Sequence, residues 1–309
     1  MTANERAEPR GHDRARRRAA TGATTSTNGV ARLSGLAALA IVAVASGPLF
    51  AQGERGAGES FAAADLVQWE DLPAWSGVWT ETGNTIFDHA SVVPPGGSAN
   101  EVGTREFPPL TEAWEAVYEA NLALVAEGRF PDPISTCGMP VGFPRIFNLP
   151  DVYEFVVRPE QTWILTENGP NVMRIYTDGR DHPAPEDLWL TYTGDSVGRW
   201  EGDTLVFSTV AVKNEGTILD RTGLVLSDEM TAVTRMRKVA EDRIELEMVI
   251  EDALALTEPW RVTMSYERLP EGVRVYDYAC AENNRNPVTE SGLTITLGPD
   301  GEPLDFLNE

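Results

Sequence analysis

From Val152 onward, apolar and polar residues alternate with a period of two through most of the chain. Arg243 to Ile250 is the plainest case: Ile244, Leu246, Met248 and Ile250 fall on one face, and Arg243, Glu245 and Glu247 on the other. That alternation marks a half-buried strand. The same patterning predicts strands over 152–158, 162–166, 172–177, 188–193, 197–201, 204–212, 230–238, 242–250, 261–268 and 273–280. Short polar connections such as Ala240-Glu-Asp242 and Pro270-Glu-Gly272 imply antiparallel neighbours, and Glu201-Gly202-Asp203 reads as the turn of a hairpin. So many strands in series without helices between them favour closure, which removes exposed edges. The expected fold is mainly β, a closed or nearly closed antiparallel meander barrel of about ten strands.

Upstream the period changes. Trp114, Val117, Tyr118, Leu122 and Val125 recur at helical spacing, which predicts one amphipathic helix over 111–127 with Thr111 as N-cap and Gly128 as C-cap. Before it, Leu72 to Trp79 reads as a first strand entered through a glycine turn, with Trp75 and Trp79 as core anchors, and Pro94 to Ser98 as a loop. Leu33 to Phe50 is an apolar stretch behind an Arg-rich one, ending in small residues. It reads as a signal peptide cleaved after Ala51, with an uncleaved membrane anchor as the alternative. The chain therefore divides into a signal peptide at 1–51, a Gly/Ala-rich flexible tether at 52–65 and a single barrel domain at 66–309 that includes helix 111–127. The implied location is periplasmic or secreted.

Charge narrows the partners. The 309 residues carry a formal net charge of −23, and seven of the 25 basic residues fall in the Arg-rich first 32 positions, which leaves the remainder more acidic still. A domain this acidic, with no Lys/Arg cluster after Arg32, repels phosphate backbones and anionic lipid. Neither nucleic acid nor a membrane surface after signal cleavage is an expected partner. Cys137 and Cys280 are the two cysteines, and an even count in an exported chain argues for a disulfide between them; two buried free thiols are the alternative.

Six ordered segments carry a resemblance: LTEAWEAVYEANLALVAEG at 110–128, DPISTCGMPVGFPRIF at 132–147, RIYTDGRDHP at 174–183, GDSVGRWEGDTLVFST at 194–209, LSDEMTAVTRMRK at 226–238 and CAENNRN at 280–286. Over its mature length the chain resembles a large family of exported, mostly uncharacterised bacterial proteins with a GRWEGDTLV motif and a C-terminal CxENNR motif. The resemblance implies a soluble, lipocalin-like barrel and carries no settled activity. Relatives often place histidines near the first motif and near the SD segment, where this chain has Asp195, Leu226 and Thr231. If those histidines hold metal in relatives, the site is lost here, and no metal or other cofactor is expected.

Candidate chemistry is sparse. The loop Asp178-Gly179-Arg180-Asp181-His182-Pro183 gathers an acid, a base and an anion-holding arginine, so His182 could act as a general base with Asp178, Arg180 or Asp195 assisting. The plainer reading of the same residues is a capped turn. Arg199, Trp200 and Glu201, Tyr276 on the last predicted strand, and Glu282, Asn283 and Arg285 at its polar end are candidate ligand contacts. Arg199 and Glu201 would be functional on a barrel interior and merely solvated outside. Glu201 and Asp203 could suggest a glycosidase pair, but residues at a hairpin tip usually project into solvent. There is no GxSxG elbow, P-loop or dinucleotide fingerprint.

Two functions follow from this. The first is a barrel that binds a small, largely apolar or amphipathic molecule in an internal cavity. The second is a cofactor-independent acid/base enzyme, an isomerase, dehydratase or cyclase, acting on such a molecule in the same cavity. A cell-envelope interaction protein is a third possibility.

Overall fold

Among the described residues, nine strands close on themselves in chain order: β1 (Val78–Glu81), β2 (Val152–Val157), β3 (Gln161–Thr166), β4 (Val172–Tyr176), β5 (Asp195–Glu201), β6 (Thr204–Val210), β7 (Thr231–Ala240), β8 (Arg243–Glu251) and β9 (Trp260–Arg268). The computed structural model describes residues 58–61, 65–82, 86–92, 105–129, 131–132, 134, 137, 141–167, 172–214, 218–220 and 222–276. The chain divides into two units between Phe50 and Ala51, and every described residue belongs to the second. The signal-peptide reading falls on residues outside those described, as do Cys280, Glu282, Asn283 and Arg285. Cys137 carries no free thiol, and the expected pairing with Cys280 lies beyond the described residues.

The barrel differs from the expected one in strand number and direction. Neighbours are antiparallel throughout except β4 and β5, which run parallel through the Tyr176–Val197 pair. A parallel step needs a long crossover, and 177–194 supplies it. The expected strand at 188–193 is reduced to one bridge, Thr191 with Val212. The reason is geometric: β6 already has β5 and β7 on its two edges, so Thr191 finds free backbone only past the end of β6, at Ala211 and Lys213. Residues 273–276 form no strand either. Beyond Pro270 the chain turns at Gly272 (φ 92°), and β9 is already paired with β8 on one side and β1 on the other. The short β1 therefore closes the barrel, a mixed sheet of nine strands rather than an antiparallel one of ten.

Alternation decides which residues fill the interior. On β8 the buried positions are Ile244, Leu246, Met248 and Ile250, as the sequence pattern predicts. They join one apolar cluster with Trp75, Trp79, Tyr153, Phe155, Phe207 and Tyr266. Part of the filling comes from a loop, where the single 3-10 turn Arg145–Phe147 and its flanks carry Phe143, Ile146 and Phe147, all fully buried. Walls and plug are tied by Tyr266 Oη donating to the Phe147 carbonyl (2.8 Å) and the Leu149 N–H donating to Tyr153 Oη (2.8 Å). Arg145 donates to Asp132 (2.8 Å) and to the Ile218 carbonyl (3.1 Å), a buried cation with its hydrogen bonds satisfied.

The helix, α1, spans Glu112–Ala126. Thr111 occupies the N-cap position but makes no capping bond; its hydroxyl donates to the Leu254 carbonyl (2.9 Å). At the other end Gly128 (φ 72°) donates to Val125 and Arg129 donates to Leu124, a Schellman ending that relies on glycine in the left-handed region. Of the periodic residues Tyr118 is buried, Trp114 and Leu122 pack partly against the core, and Val117 is exposed.

Beneath the helix lies a group of buried carboxyls. Glu106 accepts from the Phe87 and Asp88 N–H groups (2.6 and 2.8 Å), and Asp220 accepts from the Thr222 and Gly223 N–H groups and the Thr222 hydroxyl. Burial, then the charge of Asp220 and a hydrogen bond to it, push the Glu106 carboxyl well above its ordinary range; burial raises Asp88 as well. The neutral acids are thus the forms the fold favours. Their contribution is fully present below the unfolded carboxyl pKa and is lost as pH rises through the folded value. Glu106→Gln, which sets an amide NH₂ against one of the two backbone N–H donors, should be less stable than the parent near pH 5 and should lose part of that deficit by pH 8, as read from urea midpoints at constant slope. Parallel pH profiles for the two proteins would refute this account.

Candidate functional site

The β5–β6 hairpin turns through Gly202 and Asp203, with Glu201 paired to Thr204 and Gly202 at φ 64°. Its two faces are chemically distinct. Inward, Trp200 packs against Trp75 (ring centroids 5.3 Å apart) and Phe207 joins the main core. Gly198 faces Phe207 so closely that a Cβ there would lie 2.3 Å from the Val206 carbonyl oxygen. Outward, Val197 and Val206 form a second apolar cluster with Phe61, and Val233 packs against it.

On that outer face the structure brings together three side chains from separate places in the sequence. His182, from the crossover loop, places Nδ1 2.6 Å from Asp195 Oδ1 at the start of β5 and Nε2 3.2 Å from Ser208 Oγ on β6. The Glu59 N–H donates to the same Ser208 oxygen (3.0 Å). Partners fix the proton positions. A carboxylate at Asp195 would only accept, giving the hydrogen to Nδ1; Nε2 would then be free to accept, and the Ser208 hydroxyl, already receiving a hydrogen bond from Glu59, would give its own hydrogen to it. The result is a directed chain from serine through histidine to carboxylate. The His182 side chain is 9% exposed and that of Asp195 26%, while Ser208 is fully buried.

What covers the serine is Gly58–Phe61, inside the stretch expected to be a flexible tether. It packs because Phe61, 2% exposed, finds the Val197 and Val206 patch. The Arg199 guanidinium lies 4.8 Å from the Phe61 ring centroid, and the Ser60 hydroxyl donates to Asp181 (2.9 Å). Gly58 has no room for a side chain: a Cβ there would sit 2.4 Å from Ser208 Oγ and 2.9 Å from His182 Nε2.

The remaining sequence candidates divide. Asp178 and Arg180 form a bidentate pair (2.8 and 2.6 Å) over the Tyr176 ring, and that pairing holds the Asp178 carboxyl below its usual range. They serve the turn, although Arg180 lies close enough for the Asp195 charge to act on it. Arg199 and Glu201 point out of the barrel; Glu201 is held by Arg199 (2.5 Å) and by Arg235, and chiefly the Arg199 bond lowers its carboxyl pKa. Trp200 is partly buried and packs against the main core. Tyr276 is 71% exposed, with its backbone N–H donating to Glu167 (2.7 Å). Sequence reasoning missed Ser208, which no motif marks. The available signal was its place on the outward face of the strand paired to the one that begins with Asp195.

No family model matches the chain, and neither a curated protein nor a solved structure does.

Proposed function

We propose that the protein is a cofactor-independent enzyme of the acyl-transfer class, working at Asp195, His182 and Ser208 on the outer barrel wall. The observation that carries this reading is the continuous Asp195–His182–Ser208 hydrogen-bond chain, which ends on a hydroxyl rather than on solvent. That ending favours acyl transfer over isomerisation, dehydration or cyclisation, for which a base alone suffices. Ser208 Oγ adds to the acyl carbon as its proton passes to His182 Nε2; Asp195 stabilises the imidazolium, which then protonates the departing oxygen or nitrogen. Water repeats the sequence and frees the acid. Export to the periplasm or medium, proposed from the N-terminal sequence, would make its substrates those of that compartment.

The test is adduct formation by a fluorophosphonate on the mature chain, located by peptide mass spectrometry. An adduct on Ser208, absent from Ser208→Ala and lost or greatly slowed in His182→Ala, is the expected result. Absence of that adduct both from the parent and from Phe61→Ala, in which the cover is loosened, would sink the reading.

A binding role is the second reading. It is favoured by a hollow of about 460 Å³ between residues 69–77 and β2, lined by Trp69, Leu72, Pro73, Trp75 and Val156. Trp69 is 58% exposed there, and both size and lining suit a small apolar or amphipathic molecule. Such a ligand should quench or shift the indole fluorescence of the parent, and the change should be smaller in Trp69→Ala, where Trp75 alone of the two lining indoles remains.

A further inference from the structure

The cover over Ser208 has the form of a substrate. We infer that the outer face of β5 and β6 binds an extended peptide segment, glycine against the serine and an aromatic residue three positions on, and that Gly58–Phe61 occupies it as an internal pseudosubstrate. The inference rests on the acyl-transfer reading and adds to it a substrate class and a means of holding the site closed.

Three contacts spaced along the segment define the subsites. At the serine, only a residue without a Cβ fits, because Ser208 Oγ, Val210 Cγ1 and His182 Nε2 all crowd the position. One residue on, a backbone N–H meets Ser208 Oγ. Three residues on, an aromatic ring enters an apolar depression made by Val197, Val206 and Val233, with the Arg199 guanidinium over its face. Such a pocket combines apolar burial with a cation–π contact and selects aromatic over aliphatic side chains.

The segment is held and not cut, for a geometric reason. A hydrogen bond from the Glu59 N–H places Ser208 Oγ near the plane of the Gly58–Glu59 amide and on its nitrogen side. Addition to a carbonyl requires approach from above that plane, so the nucleophile is aligned with the wrong atom. With both its oxygen and its proton engaged, the serine is occupied by the segment. A substrate peptide must displace this segment and offer its carbonyl face, so the observed rate depends on how often Phe61 leaves its pocket.

The experiment compares fluorophosphonate labelling rates of Ser208 in the mature parent chain and in Phe61→Ala, each with and without the acetylated, amidated peptide Ala-Gly-Glu-Ser-Phe-Ala. The expected result is labelling at least tenfold faster in Phe61→Ala, brought back towards the parent rate by the peptide and not by a version with alanine in place of its phenylalanine. Equal rates in parent and variant, or a faster variant insensitive to the peptide, would overturn the pseudosubstrate while leaving the acyl-transfer reading intact. No labelling in either chain would remove that reading and this inference together.

Discussion

Asp195→Asn should lower the rate of Ser208 acylation by roughly 10³- to 10⁴-fold while leaving the barrel folded, because the change reverses which imidazole nitrogen carries the proton. Asp195 Oδ1 is an obligate acceptor 2.6 Å from His182 Nδ1. An asparagine in the same rotamer can turn its NH₂ to Nδ1 instead, whereupon the hydrogen moves to Nε2. That nitrogen then donates towards Ser208 Oγ and can no longer take its proton. Little in the fold opposes the swap, since the side chains have nearly the same shape and Asp195 is partly exposed. The unfolding midpoint should therefore move far less than the rate. A merely structural latch predicts the reverse, a looser Gly58–Phe61 segment with labelling no slower than in the parent. An Asp195→Asn rate within tenfold of the parent would show that the relay does not orient a base.

The parts of the fold that were legible in the sequence are those governed by local alternation. β8 could be read residue by residue because each of its inward positions is apolar and every outward one except Val249 is charged, and Glu201-Gly202-Asp203 announced its hairpin through the one residue that tolerates φ 64°. The parallel step from β4 to β5 was not legible. Leu188 to Thr193 has strand-like composition, but pairing depends on which backbone edges remain free, and that is settled by the closed order of the other strands. For the same reason 273–276 forms no strand: the edge of β9 is taken by β1, more than 180 residues away in the pair Thr80–Glu267.

The site was half legible. His182 and Asp195 stood out because histidine and carboxylate are rare and chemically marked, but Ser208 lies 26 residues from His182 within an ordinary strand. It becomes noticeable only when the register places it on the outer face. The packing of Gly58–Phe61 was not legible for a related reason: composition there reads as flexible on average, and a single residue, Phe61, finds an apolar patch on the barrel exterior.

Phe147→Ala is expected to cost about 3–5 kcal/mol, the largest loss of stability from a single truncation considered for this chain. The residue is fully buried, on a loop turn rather than a strand. Its ring lies 6.0 Å from that of Phe143 and 6.4 Å from that of Phe207, so removing it opens a void between the plug and the wall. Relaxation is limited on both sides. The turn is fixed by the Tyr266 hydroxyl at the Phe147 carbonyl and by the buried Arg145–Asp132 pair two residues upstream, and swinging it inward to fill the void would break one or the other. Equilibrium urea unfolding at unchanged slope should show the loss as a shift in midpoint, and a loss below about 1 kcal/mol would mean that the plug contributes little to the core. The consequence reaches the outer face. Phe207 and Ser208 are consecutive residues on opposite sides of β6, so a strand released from Phe147 on the inside also holds its serine less firmly on the outside. Ser208 labelling in Phe147→Ala should therefore become less uniform in rate well below the unfolding midpoint, whereas Asp195→Asn changes the rate without broadening it.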